Sequence, residues 1–213
     1  MMMNGILFVL VLIAFIIMFT GFEFMGHGVP FTTTKLSVFK FFTVDSNLLL
    51  GISSLLLLLE ERKKEEVKEG FYVLKFAATT SVFLTFMVTA VFLAPFSPYR
   101  FIDFYMNSNL LFHFLIPVLS IISFLFFDSK TFPFRYTFYG LMPMILYAIG
   151  YVIYILPHVQ GNRVSLKYDF YGFFRGGVST VFYVVPVMLI TTYVLGFLLW
   201  FFQKQINQKK DNH

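Results

Sequence analysis

The stretch FFTVDSNLLL, Phe41 to Leu50, sets a threonine, an aspartate, a serine and an asparagine inside an otherwise apolar run. The run continues through GISSLLLLL to Leu59. From Val38 it is therefore long enough to cross a hydrocarbon core of roughly 30 Å as one helix of about 20 residues. On such a helix Thr43 and Asn47, four apart, share a face, whereas Asp45 points nearly the opposite way. Polar groups in this setting need a partner or a task. The central expectation is that Thr43 is a nucleophile working with His113 from a second membrane helix.

Composition points to the same class. Of the 213 residues, 58% are hydrophobic, 21% aromatic and only 13% charged, and the mean hydropathy is +0.79, outside the balance of soluble domains. Zero cysteines exclude disulfides, thiolate metal sites, iron-sulfur clusters and cysteine nucleophiles. No metal site and no cofactor is expected. The net charge of +5 is read by location, since apolar helices with short loops leave no extended basic surface for nucleic acid.

Six apolar segments, at about 5–25, 38–59, 71–94, 107–127, 138–156 and 178–202, predict a single-domain, all-α bundle of six transmembrane helices. The first has neither a positive n-region nor a small-residue cleavage pattern and reads as a retained helix. It is followed by a loop carrying His27, Gly28 and Pro30. EERKKEEVKEG, 60–70, reads as a solvated helical extension or turn. Pro95 and Pro98 end the third segment, while Pro117, Pro143 and Pro186 lie inside the last three and predict kinks. The tail QKQINQKKDNH reads as mobile. With the N-terminus inside, nine lysines and arginines (62–64, 68, 130, 135, 204, 209 and 210) are cytoplasmic, against Lys35, Arg100, Arg163, Lys167 and Arg175 outside. This bias places both termini in the cytoplasm of a multi-pass protein of the cell membrane.

With that topology the second and fourth helices both start on the outer side. Thr43 and His113, about five and six residues in, then share a depth of roughly 8 to 9 Å at 1.5 Å per residue. The flanking sequence repeats as well: SNLL occurs at 46–49 and 108–111, as a trace of duplication or as a chance match in a leucine-rich chain. Asn109, His113 and Pro117 form one stripe on the fourth helix, and Tyr147, Tyr151, Tyr154 and His158 form another on the fifth. Inward-facing, these stripes make a polar-headed pocket with aromatic and aliphatic walls suited to an acyl chain.

Each residue also has a plainer reading. A membrane-helix threonine commonly returns its hydroxyl to a carbonyl one turn back. Asn47 and Asn109 can tie helices together, the tyrosines can form an interfacial belt, and Lys40 can snorkel to the interface or meet a substrate carboxylate. An ionisable residue such as His113 within a span is costly and reads as functional by default.

FFTVDSNLLL, followed by NSNLLFHFLIPVLS at 107–120, resembles the androgen-induced membrane protein family and its prokaryotic six-helix relatives. The shared pattern is a threonine near an asparagine in one helix, then a histidine followed four residues later by proline in another; Thr43, Asn47, His113 and Pro117 fit it. The resemblance implies hydrolysis of fatty acid esters of hydroxy fatty acids, with Thr43 as nucleophile and His113 as its partner. A threonine hydroxyl needs a base within reach, a role for neutral His113, and the oxyanion needs donors, for which Asn47 and Asn109 are candidates. Lys40, Tyr147, Tyr151 and His158 are further candidates for holding substrate. No carboxylate orients His113 in this reading: Asp45 faces away, and Asp103 lies in a loop ten residues earlier. The expected partners are a fatty acyl ester and the bilayer. Two rivals come from other classes: a haem protein, which needs a second axial histidine at the right depth, and a non-enzymatic lipid-binding or transport protein.

Overall fold

The structure is a computed structural model that describes residues 1–26, 33–63, 66–128, 130–165, 167–174 and 176–211. The expected loop at His27, Gly28 and Pro30, the charges of Lys64 and Arg175, and His213 lie outside the described residues. The chain forms an all-α bundle of six helices, each long and apolar enough to cross a membrane: α1 (Met2–Thr20), α2 (Phe42–Arg62), α3 (Glu69–Phe96), α4 (Ser108–Phe127), α5 (Phe134–His158) and α6 (Val178–Lys210). Between α5 and α6 a short antiparallel hairpin pairs β1 (Val159–Gln160) with β2 (Arg163–Val164).

Helix α3 is the hub, packing against α2, α4, α5 and α6. It is the most buried of the six helices and α6 the least, with Phe182, Tyr183 and Ile190 of α6 exposed. α1 and α2 cross closely enough that a Cβ on Gly51 would sit 2.8 Å from Val11. α1 ends at Gly21, in the left-handed conformation (φ 74°), whose N–H caps the Ile17 and Met18 carbonyls, as glycine permits. Asn107 (φ 55°) then fixes the following segment: its Oδ1 accepts from the Phe24 and Met25 N–H groups and its amide donates to the Gly26 carbonyl.

Three departures from the sequence reading matter for the site. First, α2 does not run on from residue 38. Lys35–Lys40 is a separate 3₁₀ turn, Phe41 is extended (φ −97°, ψ 126°), and its carbonyl receives the Val44 and Asp45 N–H groups. Thr43 is thus the second residue of α2. Apolar content alone could not show that break. Second, α3 passes through Pro95. A wide π turn at Val88–Leu93 precedes it and accommodates the ring and the missing N–H. Third, the tail 203–210 extends α6 rather than moving freely. Gln203 donates to the Phe124 and Asp128 carbonyls and Lys210 to the Phe126 carbonyl, which serves the C-terminus of α4, where the last carbonyls lack intrahelical donors. The two SNLL copies also differ in place: Ser46 is well inside α2, whereas Ser108 opens α4.

Candidate active site

The site is built by two proline-linked distortions and one helix start. In α4 a π turn spans Leu111–Leu115, and the Ile116 N–H reaches back to the Leu111 carbonyl. Continuing that i+5 pattern, the Phe112 carbonyl falls to residue 117, which is proline and has no N–H to give. Asn47 supplies the donor instead: its Nδ2 lies 3.4 Å from the Phe112 carbonyl oxygen and 2.7 Å from that of Thr43. Proline 117 thereby widens the turn that displays His113, and Asn47 satisfies the carbonyl that this leaves over. π turns of this sort recur at functional sites.

The second π turn, Val88–Leu93 in α3, carries Thr89. This residue is 1% exposed, and its Oγ1 lies 2.9 Å from His113 Nδ1. The Thr85 backbone is a second hydrogen-bond partner of the imidazole; in the tautomer with the proton on Nδ1, Thr89 accepts it and Nε2 keeps its lone pair. Asp103 plays no part there, since its carboxylate accepts from the Arg100 guanidinium at 2.8 Å.

Thr43 and His113 line one cavity of about 590 Å³, within the size range of small-ligand sites. Asn109, Thr89 and Tyr171 share its walls, with Phe92, Leu93, Phe104 and Phe170 supplying apolar surface. No direct hydrogen bond joins Thr43 to His113. Asn109 lies one helical turn before His113 and is 8% exposed. The Tyr171 hydroxyl accepts the Phe42 N–H at 2.9 Å, so it caps the first turn of α2 beside Thr43. Burial pushes this hydroxyl up to about 12, which keeps it neutral. Thr43 stands in the first turn of α2, at the positive end of the helix dipole.

Other expected site residues lie elsewhere. Asn47 is fully buried and its amide is committed to two carbonyls, off the cavity wall. Lys40 belongs to the 3₁₀ turn and sits over the Phe41 and Phe170 rings, 5.0 and 5.2 Å from their centroids. Tyr147 donates to the Lys40 carbonyl and Tyr151 to Asp169, the latter at 2.7 Å. Both tyrosines line a second cavity with Lys40 and Asp45, which shares the Phe170 wall with the first. His158 stacks on Tyr168, with ring centroids 3.6 Å apart, and its Nδ1 is 2.9 Å from the Tyr154 carbonyl oxygen. The fifth-helix stripe thus does not converge on Thr43. Among the described residues, no group of three or more His, Cys, Asp or Glu side chains gathers in a way that could hold a metal ion.

Thr89, Tyr171 and Asp169 were invisible as site residues in the sequence. Thr89 offered one weak signal, since it stands four residues after Thr85 in α3 and repeats a polar face. Asp169, fully buried, accepts from the Phe173 and Phe174 N–H groups as well as from Tyr151, and so folds the loop that delivers Tyr171.

Fold and cavity together define an all-α, six-helix bundle of multi-pass membrane character with a polar-headed, apolar-walled chamber near the end opposite the termini. No family model, curated protein or solved structure matches the chain. The family resemblance therefore rests on the residues of its two motifs.

Proposed function

We propose that the protein is an intramembrane lipid-ester hydrolase, with fatty acyl esters, including fatty acid esters of hydroxy fatty acids, as its substrate class. The observation that carries this reading is the sharing of one cavity by Thr43 and His113, the first at a helix N-terminus and the second held through Nδ1. The fatty chain lies along Phe92, Leu93 and Phe104, and the ester carbonyl sits between the two polar side chains. Contacts of this kind tighten when substrate binds.

Thr43 Oγ1 gives its proton to His113 Nε2 as it attacks the ester carbonyl. The tetrahedral oxyanion faces the Asn109 amide and the positive end of α2. Collapse breaks the bond to the alcohol oxygen, which leaves with the proton from His113, and Thr43 holds the acyl group. Water, deprotonated by His113, then attacks this ester; release of the fatty acid returns the proton to Thr43. Hydrolysis of long-chain esters by purified protein tests the scheme. Wild type turns over, whereas Thr43→Ala and His113→Ala each lose about 10²-fold or more. Equal turnover by wild type and both variants would overturn it.

A further inference from the structure

Thr43 and Asp45 leave α2 on opposite faces, and each lines a cavity. The Asp45 cavity, about 360 Å³, is bordered by Phe39, Lys40, Tyr147, Tyr151, Tyr154 and Phe170. Its lip includes Leu146, 68% exposed, so the opening lies on apolar surface that a bilayer covers. Among the described residues, none forms a hydrogen bond or ion pair with the Asp45 carboxylate. The chamber thus combines one carboxylate, one ammonium and several aromatic rings.

The lining is rich in aromatic rings, from Tyr147, Tyr151, Tyr154 and Phe170. Tyr147 and Tyr151 are stacked at 6.1 Å with planes 24° apart, and Phe170 stands at 89° to Tyr151 with centroids 5.1 Å apart. The hydroxyl protons of both tyrosines are committed, Tyr147 to the Lys40 carbonyl and Tyr151 to Asp169. An aromatic corner beside a carboxylate suits a methylated ammonium, which has no N–H groups to satisfy and gains from ring quadrupoles. A primary ammonium brings three N–H groups that need acceptors, and Asp45 is the one carboxylate among the lining residues. Lys40 supplies the opposite charge, 5.2 Å from the Phe170 ring centroid, as a point charge for a phosphate.

We infer that this second cavity seats the headgroup of a phosphocholine lipid, with Asp45 and the aromatic corner on the trimethylammonium and Lys40 on the phosphate. The lateral, apolar opening makes the ligand a membrane lipid. Asp45 lies on the other face of α2 from Thr43, and Phe170 forms a wall common to the two cavities; the seat does not require Thr43 to be a nucleophile. It also separates the roles of two polar residues of one motif: Thr43 serves the chamber toward α3 and α4, and Asp45 the chamber toward α5.

The test is native mass spectrometry of the purified full chain in detergent, titrated with dihexanoyl phosphatidylcholine, phosphatidylethanolamine and phosphatidylglycerol. Wild type retains the choline lipid about tenfold more tightly than the other two. Asp45→Asn removes that preference while keeping a wild-type unfolding temperature, and Lys40→Gln weakens the choline and glycerol lipids alike. Equal retention of the three lipids by wild type overturns the proposal without reference to any variant. So does a choline preference that survives in Asp45→Asn.

Discussion

His113 is held by a hydroxyl, not a carboxylate. Thr89 Oγ1 at 2.9 Å from Nδ1 fixes the ring without placing a negative charge in the bundle, where ionised groups are expensive. A neutral partner stabilises the imidazolium less than a carboxylate does, so in the proposed mechanism the base is positioned more than it is strengthened. Thr89→Val keeps the volume and removes the bond. Its kcat for ester hydrolysis should fall about ten- to a hundredfold, less than the roughly 10²–10⁴ of general-base catalysis as a whole, with KM nearly unchanged, and Thr89→Ser should recover most of the loss. A fall in Thr89→Ser as large as in Thr89→Val would assign Thr89 a packing role only. The sequence made Thr43 and His113 legible because a polar residue in an apolar run stands out. Thr89 did not stand out among Thr79, Thr80 and Thr85 of the same helix, and Tyr171 sat among the aromatic residues of a loop with no periodicity to orient it.

At the scale of elements, the distortions are where chain and site meet. Pro117 has no N–H for the carbonyl of Phe112, and the Asn47 amide on α2 takes that carbonyl. Two residues 70 positions apart thus act as one device. Interhelical hydrogen bonds in bilayers are worth about 0.6–2 kcal/mol, and losing the donor leaves a buried carbonyl unpaired. Asn47→Leu should therefore lower stability by about 1–3 kcal/mol. In a Pro117→Ala background, where residue 117 recovers its N–H, the same change should cost clearly less. A double-mutant cycle of denaturant unfolding in detergent measures the difference, and strictly additive losses would break the link between the two residues. Helix number and type were readable from apolar runs, and the prolines marked where distortion falls. Which carbonyl is freed, and that α2 begins at Phe42 rather than 38, depended on the extended Phe41 and on tertiary partners that hydropathy does not encode.

Across the whole molecule, the termini-bearing half is closed by a buried polar centre that the sequence reading left unremarked. Lys75, on the hub helix α3, is 0% exposed. Its Nζ donates to Asn4 of α1 and to Ser123 of α4, the latter at 2.8 Å, and lies 3.4 Å from Asp128 Oδ2. Glu61 at the end of α2 joins through Asn4 at 3.2 Å and through the N-terminal ammonium at 2.8 Å, while Gln203 of α6 holds the Asp128 carbonyl. Five of the six helices meet there. One turn toward the bundle centre, Thr79 and Ser120 continue the α3–α4 seam at 2.8 Å, which leads on to Thr89 and His113. Removing one member of a buried ion pair strands the other, so Lys75→Ala should cost about 3–5 kcal/mol. Lys75→Met combined with Asp128→Asn, which removes both charges, should recover a large part of it. Thermal unfolding of the purified variants checks this, and a Lys75→Ala protein as stable as wild type would show that the centre does not hold the bundle together. A lone lysine in an apolar segment is legible in a sequence, but its partners on α1 and α4 are not, because they converge only through packing.

The most direct test of the central claim is the site of covalent modification by a fluorophosphonate. Purified wild-type protein is treated in detergent, digested and mapped by peptide mass. One adduct is expected, on Thr43, absent from Thr43→Ala and slowed at least about 10²-fold in His113→Ala. An unmodified Thr43 in a protein that hydrolyses long-chain esters, or an adduct on another residue that tracks activity, would contradict it.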